Sequence, residues 1–348
     1  MNKKNITIAL TGLCNVDNPA SGMAFIKCIK RSDIFNAKII GLVYDNMEPG
    51  IYFKDLVDEV YLVPDPLKDK GSVYDRIKEI HIKEKIDVLF PHLDAEMKEY
   101  INNADRFAGI GIRSFMPTFE QFEERQKENL PEFGEEYGIR VPLSQTISNI
   151  EDFRDLKSGL DYPVVVKSKH YVTGVADNFD MAKALALRLE KSWGGPIIIQ
   201  QYIKGDEFCI AALGDGHGNL MASVTLKKLF YNEKGKIWFA KAVKDKRLTD
   251  LAERIIRGTS WRGAMEIELI LTPENEIFVY EINPRIPAWI YYAAELGQNI
   301  PEELVKLALD MPVTPMTDYL TDKIYVRFTN DMVIESDDFR KLEKDRYL

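Results

Sequence analysis

The segments AMEIELIL (264–271) and IFVYEINPR (277–285) decide the fold. Apolar and polar residues alternate over 264–271 and 277–282, a pattern that predicts two β-strands. Between them, Thr272-Pro273-Glu274-Asn275 has the composition of a tight turn. The sequence therefore predicts a hairpin that runs directly into Asn283-Pro284-Arg285.

Three oxygen-bearing side chains of this hairpin predict a metal site. Glu281 and Asn283 lie two residues apart, so they share a face of their strand, and Glu268 comes from the partner strand. Such ligands suit Mg²⁺, which completes its octahedron with water and phosphate oxygens. Arg285 follows with a planar donor fork that matches phosphate. The alternative is a wet strand face with solvated acids, but the motif Glu-x-Asn-Pro-Arg after a paired acidic strand favours the metal.

Composition bounds the class of protein. The chain has 348 residues, enough for two or three domains, with 45% hydrophobic and 29% charged residues. Its net charge of -9 argues against a nucleic-acid partner. Cys14, Cys28 and Cys209 are far apart and form no CxxC pair, so a disulfide framework or zinc site is not expected. Without a signal-peptide pattern or a bilayer-length apolar stretch, we predict a cytoplasmic protein with no membrane partner.

The first third of the sequence has a β-α-β rhythm. This rhythm predicts a wound parallel sheet with helices on both faces and a ligand crevice at the carboxyl ends of its strands. No GxGxxG motif follows the first strand, so a dinucleotide cofactor is not predicted. The expected strands are 6–10, 38–44, 59–63 and 87–90, and the expected helices are 22–30 and 73–84.

The remaining sequence mixes strands and helices in an α+β pattern. A charged helix over 118–137 leads into this region. The further elements expected are strands 162–167, 197–202 and 323–328, and helices 181–191, 249–258 and 301–309.

The motif Tyr280–Arg285 resembles the metal-binding signature of ATP-grasp enzymes, most closely the branch of biotin carboxylase and the carbamoyl phosphate synthetase large subunit. Two upstream segments extend the likeness in the expected order. Residues 162–168 resemble the strand whose lysine, here Lys167, contacts the nucleotide phosphates. Residues 197–207 resemble the hinge that holds the adenine.

The resemblance implies nucleotide-binding roles for four hinge residues. Gln200 accepts from the adenine amino group, although the family more often has Glu there; a Gln carbonyl also accepts. Gln201 and Ile203 offer backbone groups to the purine edge, and Glu207 binds the ribose hydroxyls.

The resemblance also implies a second phosphate lysine. Lys127 stands eleven residues before Gly138, the spacing of that lysine in the family, with Arg125 as a competitor. The family's phosphate-covering loop is rich in glycine, whereas residues 168–176 contain only Gly174. Lys169 and His170 are alternatives to backbone N–H groups in this loop.

The resemblance covers about residues 1–312. The predicted architecture comprises a wound pre-ATP-grasp α/β domain (1–117), a linking helix (118–142), a small ATP-grasp subdomain (143–203), a large subdomain with the metal site (204–330) and a C-terminal tail (331–348).

The implied activity is that of an ADP-forming ligase. Two Mg²⁺ ions, or Mn²⁺ in their place, are held by Glu268, Glu281 and Asn283, while Lys127, Lys167 and Arg285 hold phosphate oxygens. A small-molecule carboxylate, from an amino acid or peptide, becomes an acyl phosphate that an amine attacks. The alternatives are a carboxyphosphate-forming enzyme and a nucleotide sensor without turnover. A homodimer stays open.

Several residues carry weaker expectations. A charged strand face is the favoured interpretation of Lys227, Lys228, Lys241 and Lys244 over a phosphate role. Asp94 and Glu96 are interpreted as inter-domain or substrate-pocket residues, with helix capping as the simpler account. Helix packing and acceptor contacts are equally compatible with Trp289, Tyr291 and Tyr292.

Overall fold

A computed structural model describes residues 3–14, 19–68, 72–148, 153, 156–168, 173–232, 235–316 and 318–348. Three sheets organise these residues. As the sequence predicts, the first is parallel, and the other two combine antiparallel strands with helices.

The N-terminal sheet is parallel and has the order β3-β2-β1-β4. Helices cover both of its faces because consecutive side chains of β1 point in opposite directions. Ile8 packs with Phe25 of the first helix, and Ala9 packs with Ile77 of the second. The elements are β1 (Lys4–Leu10), α1 (Gly22–Lys30), β2 (Phe35–Val43), β3 (Glu59–Leu62), α2 (Ser72–Glu84) and β4 (Val88–Phe90).

The linking segment contains two short helices, α5 (Phe119–Glu124) and α6 (Leu130–Glu136), rather than the single charged helix predicted over 118–137. It is preceded by α3 (Asp94–Asn102) and α4 (Ala104–Gly109). The prediction was wrong because the chain turns between α5 and α6, where Asn129 Nδ2 donates to the Glu123 carbonyl (2.9 Å). Pro131 occupies the first turn of α6, where its missing N–H costs nothing.

A small antiparallel sheet follows, with the order β5-β8-β6-β7 and α7 on one face. Val164 and Val166 pack with Ala182 and Ala186 of that helix. Strand alternation therefore directs Lys167 to the opposite face. The elements are β5 (Ser144–Ile147), β6 (Val164–Ser168), β7 (Thr173–Ala176), α7 (Phe179–Trp193) and β8 (Ile197–Gln201).

The third sheet is the largest, with the order β13-β12-β9-β10-β11-β14. One face packs on α8 through alternate apolar side chains such as Phe208, Met265 and Ile267. The intervening residues point to the other face. Its elements are β9 (Asp206–Asp215), β10 (Leu220–Tyr231), β11 (Ile237–Ala242), α8 (Lys246–Thr259), β12 (Arg262–Leu271), β13 (Ile277–Asn283), α9 (Ile290–Glu295), α10 (Ile300–Ala308) and β14 (Ile324–Val326).

The predicted hairpin is β12–β13, and it contains a bulge. Glu268 pairs with Glu281, whereas the next residue, Leu269, pairs with Val279. Tyr280 is thus an extra residue opposite Glu268. A bulge of this kind re-aims side chains, and here the Tyr280 hydroxyl reaches the same carboxylate that lies across from Glu281.

The C-terminal residues return to the first sheet. After α11 (Ser336–Asp345), Leu348 and Val60 exchange two backbone hydrogen bonds of 2.8 Å. The segment predicted as a tail therefore extends the edge of the N-terminal sheet at β3. Within the described ranges, no helix is both long and apolar enough to cross a bilayer.

Candidate functional site

Acidic and amide side chains of the hairpin share the face that points away from α8. Glu266 pairs with Asn283 and Glu268 pairs with Glu281, and cross-strand partners project to the same side of a sheet. The predicted ligands Glu268, Glu281 and Asn283 are therefore neighbours, and Glu266 joins them.

Glu268 is held by hydrogen bonds on both carboxylate oxygens. Its Oε2 accepts from Lys228 Nζ (2.8 Å) and from the Tyr280 hydroxyl (2.9 Å), and its Oε1 accepts from Asn283 Nδ2 (3.1 Å). Burial alone would raise the pKa of Glu268, but the Lys228 ammonium outweighs it and holds that pKa well below its usual range. Glu268 is therefore a fixed anion.

Glu281 faces the linking segment, where it meets Lys127. The Lys127 Nζ lies 3.2 Å from Glu281 Oε1. Arg125, the competing candidate, is buried beside the same hairpin and donates to the Ile282 carbonyl (3.4 Å). Burial lowers the pKa of Arg125 to about 10. Both predicted cations thus reach the hairpin, and Lys127 is the one that contacts a predicted ligand.

Glu266 lies deeper, where it accepts from Trp289 Nε1 (2.7 Å) and Asn283 Nδ2 (3.1 Å). Burial and the nearby Glu268 raise the pKa of Glu266. Trp289 is 2% exposed, and the Tyr292 hydroxyl donates to the Lys323 carbonyl (2.5 Å). These two aromatic residues are core packing, whereas Tyr291 accepts from Arg31 at the surface (3.2 Å).

The donor set fits a hard divalent cation. Within the described ranges, no three His, Cys, Asp or Glu side chains form a metal-binding group; the candidate here is two carboxylates and an amide. Both carboxylates are negatively charged groups neutralised by lysines, Lys228 on Glu268 and Lys127 on Glu281. Carboxylate and amide oxygens on one rigid face are ligands that Mg²⁺ accepts.

Lys167 reaches this hairpin from the small sheet. Its Nζ lies 3.4 Å from the Tyr280 carbonyl and 4.9 Å from the centre of the Tyr280 ring. Lys167 is 4% exposed, and burial lowers its pKa to about 8. The contact of Lys167 with Tyr280 brings the small sheet against the hairpin of the large sheet, and we call the junction between the two sheets the cleft.

The predicted adenine hinge connects these two sheets. Gln200 is buried and pairs with Val165, which places it on the same face of the small sheet as Lys167. The Gln201 N–H donates to the Leu143 carbonyl (2.7 Å), so a purine contact of Gln201 is restricted to its carbonyl. Ile203 lies in the short connection to β9, where Glu207 faces the cleft.

Lys228 corrects the prediction of an exposed charged face. Its side chain is only 1% exposed, and Nζ donates to Glu207 (2.9 Å) as well as Glu268. Lys227 and Lys244 do match that prediction, because they pair with the exposed acids Asp206 and Asp318. Lys228 and Tyr280 are thus site residues that the sequence motif did not identify.

Arg285 points toward the N-terminal sheet. Its Nη2 donates to Asp94 Oδ2 (2.9 Å), and this ion pair outweighs burial and raises the pKa of Arg285. Asp94 therefore joins the two domains, in agreement with the inter-domain interpretation. Glu96 instead accepts from the backbone N–H groups of His92 (2.8 Å) and Leu93 (2.9 Å) at the start of α3, as a capping residue does.

Part of the phosphate-loop prediction lies outside the described residues. Lys169 and His170 fall in the undescribed segment 169–172. Gly174 lies in β7, where it pairs with Val166.

Comparisons with known proteins agree with this geometry. A family model described as "ATP-grasp in the biosynthetic pathway with Ter operon" matches residues 195–332, which include the hinge and the hairpin. The biotin carboxylase of Campylobacter jejuni is 15% identical, with a TM-score of 0.70 over 91% of this chain and 74% of that one. Residues 195–332 thus resemble an ATP-grasp family, and the chain shares the fold of this solved structure.

Other similar proteins have names that denote different activities. The L-amino acid ligase of Bacillus licheniformis is 18% identical, with a TM-score of 0.66 over 88% of this chain and 75% of that one. The carbamoyl phosphate synthase large chain of a Thermoanaerobacter species is 23% identical over 274 residues. That match covers 74% of this chain and 24% of the relative. The chain thus spans about a quarter of the length of the curated relatives it matches.

Proposed function

We propose that this chain is an ATP- and Mg²⁺-dependent ligase that activates a carboxylate as an acyl phosphate and transfers the acyl group to an amine. One observation carries the proposal. Lys167 of the small sheet lies against Tyr280, one residue from Glu281, so a phosphate-binding cation and an oxygen-ligand face meet across the cleft.

The proposed nucleotide site runs along the hinge. Gln200 and the backbone of Gln201 and Ile203 bind the adenine, and Glu207 binds the ribose. This order directs the phosphates away from the hinge, toward Lys167 and the acidic hairpin. The domain boundaries predicted from the sequence place this nucleotide between the small subdomain (143–203) and the large subdomain (204–330).

Phosphate oxygens are held by cations from three parts of the chain: Lys127 of the linking segment, Lys167 of the small sheet and Arg285 after the hairpin. Glu268, Glu281 and Asn283 hold the divalent cations, two in our proposal. These cations neutralise the charge that develops on the transferring phosphoryl group. Lys127 neutralises Glu281 in this structure, so we expect it to exchange that carboxylate for phosphate.

The proposed reaction has two steps. A carboxylate oxygen of the substrate attacks the γ-phosphorus of ATP, and the bond to the β-phosphate oxygen breaks to release ADP. The amine then attacks the acyl carbon, loses a proton to solvent and expels inorganic phosphate. Positioning and electrostatics carry such chemistry, so no protein nucleophile is required.

The relatives support two classes of product. The name of the L-amino acid ligase supports an amino acid or peptide as substrate, with C–N bond formation. The names biotin carboxylase and carbamoyl phosphate synthase support the alternative, in which bicarbonate forms carboxyphosphate. We propose the amine ligase and test the carboxyphosphate branch beside it.

Release of ADP and phosphate tests the proposal. The purified chain is incubated with ATP and Mg²⁺, alone, with bicarbonate, or with pairs drawn from a panel of amino acids. We expect stimulation by carboxylate and amine together. Stimulation by bicarbonate alone would favour the carboxyphosphate branch, and nucleotide binding without stimulation by any substrate would favour a sensor.

A further inference from the structure

Lys228 lies between two parts of the proposed site, Glu207 and Glu268. It sits on β10, where Lys227 pairs with Phe208 of β9, so Lys228 lies opposite Glu207. Its side chain is 1% exposed. The ammonium is thus enclosed beneath the acidic face of the large sheet.

Each N–H donor of the Lys228 ammonium has an acceptor. Nζ donates to Glu207 Oε2 (2.9 Å), to Glu268 Oε2 (2.8 Å) and to the Tyr280 hydroxyl oxygen (3.1 Å). A lysine ammonium has three N–H donors, and three acceptors account for them. Lys228 therefore has no donor left for a phosphate, which separates its role from that of Lys167.

The two carboxylates that contact Lys228 are proposed to bind different ligands. Glu207 is the proposed ribose contact and Glu268 a proposed metal ligand. The Tyr280 hydroxyl also lies within hydrogen-bond distance of both, 3.2 Å from Glu207 and 2.9 Å from Glu268. Without the ammonium, two anions would face each other in a buried place, and their repulsion would move them apart.

We propose that Lys228 is a positioning residue that couples ribose binding at Glu207 to divalent-cation binding at Glu268. The inference rests on the proposed function. The ammonium fixes the Oε2 atoms of both carboxylates, while Glu268 Oε1, which accepts from Asn283 Nδ2, keeps a second lone pair for a cation. A cation bound by Glu268 acts on Glu207 through the ammonium that both carboxylates share, so binding of one ligand changes binding of the other.

Calorimetric titration measures this coupling without turnover. The probe is adenylyl imidodiphosphate, titrated into the chain with and without Mg²⁺, and the coupling factor is the ratio of the two Kd values. We expect Lys228→Met to reduce that factor by about tenfold relative to the unsubstituted chain. Lys227→Met is the matched control, since Lys227 is the preceding residue and pairs with Asp206; we expect it to keep the original factor.

A second variant covers the case in which Lys228→Met does not fold. Lys228→Arg keeps the charge, but its planar donor fork does not match three converging acceptors. We expect it to fold and still to lose most of the coupling. An unchanged coupling factor in either folded variant would overturn the role of Lys228. Absence of analogue binding to the unsubstituted chain would instead overturn the proposed function.

Discussion

At the scale of single residues, the two glutamates of the metal motif have different surroundings. Glu268 is enclosed by Lys228, Tyr280 and Asn283, which fix both of its oxygens. Glu281 has one ion pair, to Lys127, and its side chain is 21% exposed. Glu268 is therefore the rigid ligand of the proposed site, and Glu281 is the one free to exchange a lysine for a cation.

Substitution of Glu281 isolates the metal role. We expect Glu281→Gln to lower ADP formation at least about 100-fold, because a cation ligand is lost at the phosphoryl-transfer site. The fold is expected to persist, because the lost ion pair with Lys127 is a single contact. Substrate-dependent ADP release and thermal unfolding measure the two effects.

Glu276→Gln is the matched control, since Glu276 lies at the turn of the same hairpin and pairs with Arg140 at the surface. It is expected to retain activity. Turnover by Glu281→Gln equal to that of this control would rule out a metal role for Glu281.

Glu48 predicts a pH dependence of stability. Burial raises the pKa of Glu48 from 4.5 to about 7, even though the carboxylate accepts from the Leu13 N–H (2.9 Å). The folded chain therefore binds this proton more tightly than the unfolded chain, and stability falls as the pH rises from 4.5 through 7. Glu48→Gln should remove that decline, worth up to about 3 kcal/mol.

Urea unfolding at several pH values measures this effect. The control is Asp55→Asn, an exposed acid of the same domain, which should leave the pH profile unchanged. A Glu48→Gln profile that declines as steeply as the original would show that Glu48 is not the responsible group.

At the scale of elements, the connection between β8 and β9 depends on close packing at Gly205. A Cβ atom at Gly205 would lie 2.4 Å from the Leu271 carbonyl oxygen and 2.6 Å from Ile270 Cγ2. Backbone cannot move aside easily, so we expect Gly205→Ala to destabilise the chain by about 1–3 kcal/mol. Urea unfolding gives the change in free energy.

Gly109→Ala, at the end of α4, is the control for the Gly205→Ala substitution. No atom lies within 4 Å of a Cβ at Gly109, so that variant is expected to change stability by less than about 0.5 kcal/mol. A Gly205→Ala variant as stable as the Gly109→Ala variant would contradict the packing argument.

Local sequence patterns were sufficient for most elements. Residues 22–30 were predicted as a helix with the bounds that α1 has, and the β12–β13 hairpin was predicted within two residues at either end. The single helix over 118–137 was wrong, although Pro131 is a signal for a helix start. The correct predictions of α1 and the hairpin share one cause, since apolar periodicity and turn residues are local properties of the sequence.

Lys228 illustrates what local patterns miss. Strand β10 changes register by one residue between Leu220 and Ala222. Without that shift, Lys227 would lie opposite Glu207 and Lys228 would point to the other face, because a one-residue slip exchanges the faces of a strand. Neither the shift nor the bulge at Tyr280 has a clear sequence signal, so the sequence could suggest Glu268, Glu281 and Asn283 as metal ligands but not the residues that contact them.

At the scale of the whole molecule, the site joins elements distant in the sequence. The Arg285–Asp94 ion pair connects the hairpin to the N-terminal domain, and Lys127 connects it to the linking segment. Lys167 closes the cleft from the small sheet. The start of α3 in the N-terminal domain therefore lies beside the proposed phosphate site.

The central claim is that ATP and Mg²⁺ bind between the small and large sheets. A crystal structure of the chain with adenylyl imidodiphosphate and Mg²⁺ tests it most directly. Our account predicts adenine at Gln200, phosphates beside Lys167, and metal density on Glu268, Glu281 and Asn283. Nucleotide bound elsewhere, or metal density away from these three side chains, would contradict it.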